Sequence, residues 1–156
     1  MIKSLKKWVK KKKSWAVTDL ALMTFYGEGV PQNKPKGINM LEKAIALGDA
    51  NAMASLGGFY YGRLHDGQEL EPEQSQQMME LLTRAASLNH PKALMSLGAM
   101  YWNGTGVDEC LDKAFEYMSR AATLNNQDAI KSLEMMKRHE AANLKTTNNP
   151  TTTKQC

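Results

Sequence analysis

Apolar residues return every four positions through Ala93, Leu97 and Tyr101, and the same step joins Ala52, Leu56 and Tyr60. A period near 3.6 puts each set on one helical face, and no strict alternation suggests a strand. Gly27, Gly62 and Gly104 follow these helices and are expected to end them, as glycine does at helix C-termini. A second helix is expected to begin near Pro35, Pro72 or Cys110, after Asn33, Glu71 or Asp108. Proline suits a first helical turn because its missing N–H has no partner there anyway. That helix is expected to end at Gly48, Asn89 or Asn125, residues that tolerate left-handed backbone.

The helices come in repeated pairs. Ala93, Leu97, Gly98 and Tyr101 repeat Ala52, Leu56, Gly57 and Tyr60 at an offset of 41. Gly104, Gly106 and Val107 repeat Gly27, Gly29 and Val30 at an offset of 77. The second helices match too: Arg84, Ala85, Ala86, Leu88 and Asn89 recur as Arg120, Ala121, Ala122, Leu124 and Asn125. The units are 36, 41 and 36 residues long, and the five extra residues fall within Gly62 to Gln76. Each unit is one helix pair that cannot cover its own apolar face, so the units are expected to stack. Ala21, Gly57 and Gly98 follow the core leucine position, where lack of bulk lets helices approach closely. Gln127 to Leu144 is expected to form a single helix that caps the open end. The fold class is therefore all-α, an α-solenoid of three helix-pair repeats.

Charge divides the chain. The net charge is +4, but seven lysines lie between Lys3 and Lys13. The remainder holds 13 basic against 16 acidic residues. Residues 1–14 are a basic segment, residues 15–144 the repeat domain and residues 145–156 a polar tail expected to be disordered. Within the domain the repeats cover about 15–51, 52–92 and 93–128, and the cap helix 127–144. Ile2, Leu5, Trp8 and Val9 can share one helical face. Three readings of the segment stand open: a helix capping the first repeat, a contact with an anionic membrane surface through Lys3–Lys13, or a grip on nucleic acid. Capping ranks first, and nucleic acid is not the expected partner because a recognised nucleic-acid fold is missing. No apolar run reaches the roughly 20 residues of a transmembrane helix. No secretory leader is apparent, and two cysteines cannot form a disulfide framework, so a cytoplasmic location is expected.

The repeated residues resemble the Sel-one-like repeat (SLR) family, a subclass of tetratricopeptide-like α-solenoids. The third unit carries Ala93, Leu97, Gly98, Tyr101, Gly104, Gly106, Val107, Lys113, Ala114, Tyr117, Ala121 and Ala122 of its pattern. The second keeps Ala52, Leu56, Gly57, Tyr60, Gly62, Ala85 and Ala86 but loses Gly-x-Gly-Val to the insertion. The first keeps Ala16, Leu20, Gly27, Gly29, Val30, Lys36 and Ala44, with Thr24 in place of tyrosine. The resemblance implies a right-handed superhelix acting as a binding module or adaptor for other proteins, often in bacteria. A cysteine-rich subgroup acts weakly on β-lactams and carries a cysteine pair per repeat. Here only Cys110 lies in a repeat, so a β-lactamase-like enzyme is the remote alternative.

Catalytic and metal chemistry find no constellation. His65, His90 and His139 are scattered, and neither Cys110 nor Cys156 sits in a nucleophile motif. No catalytic residue, metal ligand or cofactor is assigned. The position after the core tyrosine is aromatic in every unit: Phe25, Tyr61 and Trp102. Stacking would align these into a row at the margin of the core face, with Met95, Ser96 and Asn103 beside it. Such a row would hold a protein or peptide partner in a concave groove, although inter-unit core is an equal reading. Of the 11 methionines, most fall inside helices and read as core filler. The expected function is a non-enzymatic protein–protein interaction module, in its sharper form an immunity-type inhibitor of a bacterial effector. A membrane- or nucleic-acid-associated adaptor using the basic segment is the alternative.

Overall fold

The computed structural model describes residues 2–10 and 13–146, with the side chains of 2–7 and 13–143. Cys156, Lys11, Lys12 and nearly all of the polar tail lie outside the described residues. Eight helices follow one another: α1 (Ile2–Lys10), α2 (Ser14–Tyr26), α3 (Lys34–Ala46), α4 (Ala50–His65), α5 (Pro72–Ser87), α6 (Pro91–Asn103), α7 (Leu111–Thr123) and α8 (Gln127–Thr146). No strand occurs among the described residues.

Local chemistry sets the helix ends. Asn33 Oδ1 accepts the Lys36 amide at 3.0 Å and starts α3. Gln74 Oε1 accepts the Glu71 amide at 3.3 Å at the start of α5. Gly27 and Gly104 close α2 and α6 in the left-handed region, at φ 81° and 65°. Past α5 and α7, the two asparagines adopt the same conformation, Asn89 at 55° and Asn125 at 58°.

One expected helix end is wrong. Gly62 does not stop α4, which continues to His65. The insertion has removed the Gly-x-Gly turn, and the left-handed residue is now Gly67, at φ 78°. Arg63 ties down the longer loop, donating to Gln68 Oε1 at 3.0 Å and to the Glu69 carbonyl at 3.5 Å.

Each repeat is an antiparallel pair: α2 with α3, α4 with α5, α6 with α7. α1 packs on α2 and buries Leu5, while α8 packs on α7. The first helices of successive repeats also meet directly, α2 with α4 and α4 with α6, whereas α3, α5 and α7 make no comparable contact with one another. The stack is therefore tighter on the first-helix side, and α2, α4 and α6 form its inner wall. Leu56, Leu82, Leu94, Leu97, Met78 and Met100 are fully buried between the layers.

Small residues set the spacing within each pair. A Cβ on Gly57 would come within 2.9 Å of Leu82 Cγ, and one on Gly98 within 3.0 Å of Met118 Cε. The first repeat moves this device to the second helix: a Cβ on Gly37 would lie 2.8 Å from Phe25 Cβ and 3.0 Å from the Ala21 carbonyl oxygen. Arg120 joins the last two repeats. Its guanidinium donates to the Ala86 carbonyl at 2.9 Å and to Asn89 Oδ1 at 3.0 Å, at the C-terminal end of α5.

The turns between repeats differ in one respect. Asp49 Oδ1 accepts the Ala52 amide at 3.0 Å, and Asn126 Oδ1 accepts the Ala129 amide at 2.9 Å. His90 holds the equivalent position before α6 without such a bond. Its Nδ1 is buried with no partner. Burial first, and then Lys92, push its pKa below the usual 6.5, with Asp49 opposing.

Two predictions follow from this packing. In thermal or denaturant unfolding, Gly37→Ala is expected to destabilise most, by about 1–3 kcal/mol. Gly57→Ala should cost less and Gly98→Ala least, because backbone resists at Gly37, a branched side chain at Gly57 and the flexible end of Met118 at Gly98. Helix propensity alone would make all three stabilising by about 1 kcal/mol, so that pattern would contradict the packing account. His90→Asn is expected to raise stability by about 1 kcal/mol by restoring the cap. The sign of the pH effect is fixed: the unfolded chain binds the His90 proton first, so the fold loses stability as pH falls below about 6.5. The asparagine variant should show a shallower loss over that range, and an unchanged slope would count against this assignment.

Candidate functional site

One face of the inner helices remains open. On α2 the stripe is Trp15, Asp19, Leu22 and Tyr26, on α4 Asn51, Ser55, Gly58 and Gly62, and on α6 Lys92, Ser96, Ala99 and Asn103. These positions fall at i, i+4, i+7 and i+11, opposite the residues buried against the second helices. On α8 the same register gives Asp128, Ser132, Met135 and His139.

The stripe has a shallow floor and bulky ends. Its middle, on α4 and α6, is built from glycine, serine and alanine. A Cβ on Gly62 would meet nothing within 4 Å, and one on Gly58 only Lys92 Cε at 4.0 Å. Both glycines lie inside a helix, where each costs about 1 kcal/mol relative to alanine, and no close contact among the described residues requires them. On one side stand Leu22 and Tyr26, the latter 58% exposed. On the other stands Met135, 67% exposed. A cleft of about 470 Å³ between α1 and α2 adjoins the first side, lined by Leu5, Trp15, Leu22 and Met23 with the carboxylates of Asp19 and Glu28.

The three aromatics expected to form a row have unequal surroundings. Phe25 is 4% exposed, and its ring meets Phe59 edge-on with centroids 4.9 Å apart. The approach of α3 at Gly37 encloses it, so at this position the core reading of the row fits and the groove reading does not. Tyr61 is half-buried beside the Asn103 side chain of the next inner helix. Burial pushes the Tyr61 phenol up, and Asn103 opposes that shift. Trp102 is half-buried between Phe115, at 6.0 Å, and His139 of α8, at 5.5 Å. Each aromatic thus braces its repeat against the following one. Met95 is half-buried against the core, while Ser96 and Asn103 lie on the open stripe.

Sequence reasoning missed Trp15, Tyr26, Gly58, Gly62 and Met135. A signal was present: Gly58 and Gly62 are four apart inside a helix, off the core face. The other candidate chemistries stay separate. No group of His, Cys, Asp and Glu that could hold a metal occurs among the described residues. Cys110 is 3% exposed and is not a free thiol, so it offers no activated thiolate at the start of α7.

The same architecture is found in known proteins. The Sel1 repeat model matches residues 16–49, 50–90 and 91–126. The crystal structure of a Sel1 repeat protein from Oxalobacter formigenes is similar at 28% identity, with a TM-score of 0.67 over 84% of this chain and 95% of that one. A protective antigen present in uropathogenic Escherichia coli strains, displaying an SLR fold, is similar at 26% identity and a TM-score of 0.70. That match covers 85% of this chain but 27% of the antigen. Helicobacter pylori cysteine rich protein B shares the fold at 24% identity and a TM-score of 0.60, over 85% of this chain and 97% of that one. No curated protein matches. Three consecutive matched units, folded as stacked helix pairs, make this chain a member of the Sel1 repeat family.

Proposed function

We propose that the inner stripe binds a segment of a partner protein, with the side chains of that segment lying over Ser55, Gly58, Gly62, Ser96 and Ala99. Sel1-repeat proteins are in general protein–protein interaction modules, and their fold is a typical non-catalytic scaffold. The observation that carries the reading is the pair of helix-interior glycines facing open space. A floor without side chains admits a partner backbone closely, and the apolar residues at its ends supply contact area. The α1–α2 cleft, apolar with two carboxylates, suits an apolar partner side chain next to a basic one. In its specific form the proposal is an immunity-type inhibitor that occludes a bacterial effector. Its support is the family's binding role together with a surface built for contact.

The floor also gives a clean test. Gly58→Leu and Gly62→Leu place bulk where this chain has open space, so the fold should melt at the same temperature or higher. Both should abolish capture of a partner recovered with the wild-type chain from native cells. Trp102→Ala is a weaker probe, because it removes contacts to Phe115 and His139 and is expected to lower melting as well. Undiminished capture by the leucine variants would refute the stripe as the binding surface. If the captured partner is an effector, its activity should fall on addition of wild type and not of Gly62→Leu.

A further inference from the structure

A second surface lies on the edge where one repeat turns into the next. Leu47, Leu88 and Leu124 occupy the same position there, the C-cap of α3, α5 and α7. They are 49%, 59% and 42% exposed. Single exposed leucines are ordinary, but the same exposed leucine in every repeat forms a row along one edge. About half of each leucine is covered by the chain, and the other half faces solvent.

Four residues before each leucine is a cation: Lys43, Arg84 and Arg120. Lys13, before α2, and Lys92, in the first turn of α6, lie at the same edge. The acidic groups near these helix termini are Asp49, engaged in capping α4, Glu42 and Asp128; Glu80 pairs with Arg84 at 3.3 Å, and Arg120 is bonded to the Ala86 carbonyl and Asn89. The opposite edge, where the two helices of a repeat join, is acidic. Its loops hold Asp66, Glu69, Glu71, Asp108 and Glu109, with Glu73 just inside α5, and these outnumber Lys34, Lys36, Arg63 and Lys113 beside them. The domain therefore carries a charge gradient from one edge to the other, with the leucine row at its basic end.

We propose that this inter-repeat edge docks on an anionic lipid surface. The gradient orients the edge towards negative headgroups, each cation near the surface adds attraction, and the leucines enter the interface. No described helix is long and apolar enough to cross a membrane, so the contact is peripheral. The leucines lie off the inner stripe, and of the named cations only Lys92 is shared with it.

The test is sedimentation of the full chain with vesicles of phosphatidylcholine alone or mixed with phosphatidylglycerol. Wild type should pellet with the mixed vesicles, less so as salt rises, and not with phosphatidylcholine alone. The triple variant Leu47→Asn, Leu88→Asn, Leu124→Asn should partition about tenfold or more less, with its helical content and melting unchanged. A second variant reads a gain instead: Leu88→Trp should show emission shifted to the blue by mixed vesicles beyond any wild-type shift. No pelleting, equal pelleting with both vesicle types, unchanged partition of the folded triple variant, or no added shift for Leu88→Trp each overturns the proposal.

Discussion

Close approach of two helices at a position without a side chain is what the rest of this structure rests on. At Gly57 the backbone of α4 comes so near α5 that a methyl group would press into Leu82. Gly98 sets the same distance between α6 and α7, and Gly37 sets it between α3 and α2. Once the pair spacing is fixed, the apolar faces of neighbouring pairs can interlock, and Leu56, Leu94, Leu97 and Met100 close the layers between them. The backbone freedom that glycine brings opposes helix formation, so these positions make sense only through the contacts they permit.

Stacking of this kind buries what lies between neighbours and leaves the inner face of the first helices open. The inner face carries two kinds of glycine with different meaning. Gly57 is enclosed by another helix, while Gly58 beside it and Gly62 one turn on face empty space. The first belongs to the fold. The other two leave a shallow floor that the fold does not need, and on that contrast the binding reading stands. The aromatics Tyr61 and Trp102 do not line this floor. Tyr61 lies beside Asn103 of the next repeat, and Trp102 meets His139 of the cap helix α8.

Much of the architecture was legible in the residues, because repetition supplies several readings of the same position. Ala52 and Ala93, or Gly27 and Gly104, each corroborate the other, and a helix pair is the local unit that such a pattern specifies. Gly62 misled because its counterparts Gly27 and Gly104 are followed by a second glycine, whereas the insertion supplies Arg63, Leu64 and His65, which continue the helix. Whether the aromatics face groove or core is open in the sequence for a different reason. A helical wheel places Phe25 at the margin of one face but carries no information about the helix that arrives from Gly37 to cover it. The stripe itself was only half visible, since its floor is defined by absent side chains, which periodicity arguments overlook. The helical wheel puts Ser96 and Asn103 towards the polar side, but the period alone does not single out Gly58 and Gly62.

The central claim is that partner contact is confined to the open stripe of the inner helices. Backbone amide chemical shifts of the isotopically labelled chain, followed while its captured partner is added, test this most directly. The account predicts that the largest changes fall on Ser55, Gly58, Gly62, Ser96 and Ala99, with the outward faces of α3, α5 and α7 unmoved. Changes concentrated on those outer helices, or on the loop around Asp66 to Glu71, would contradict it.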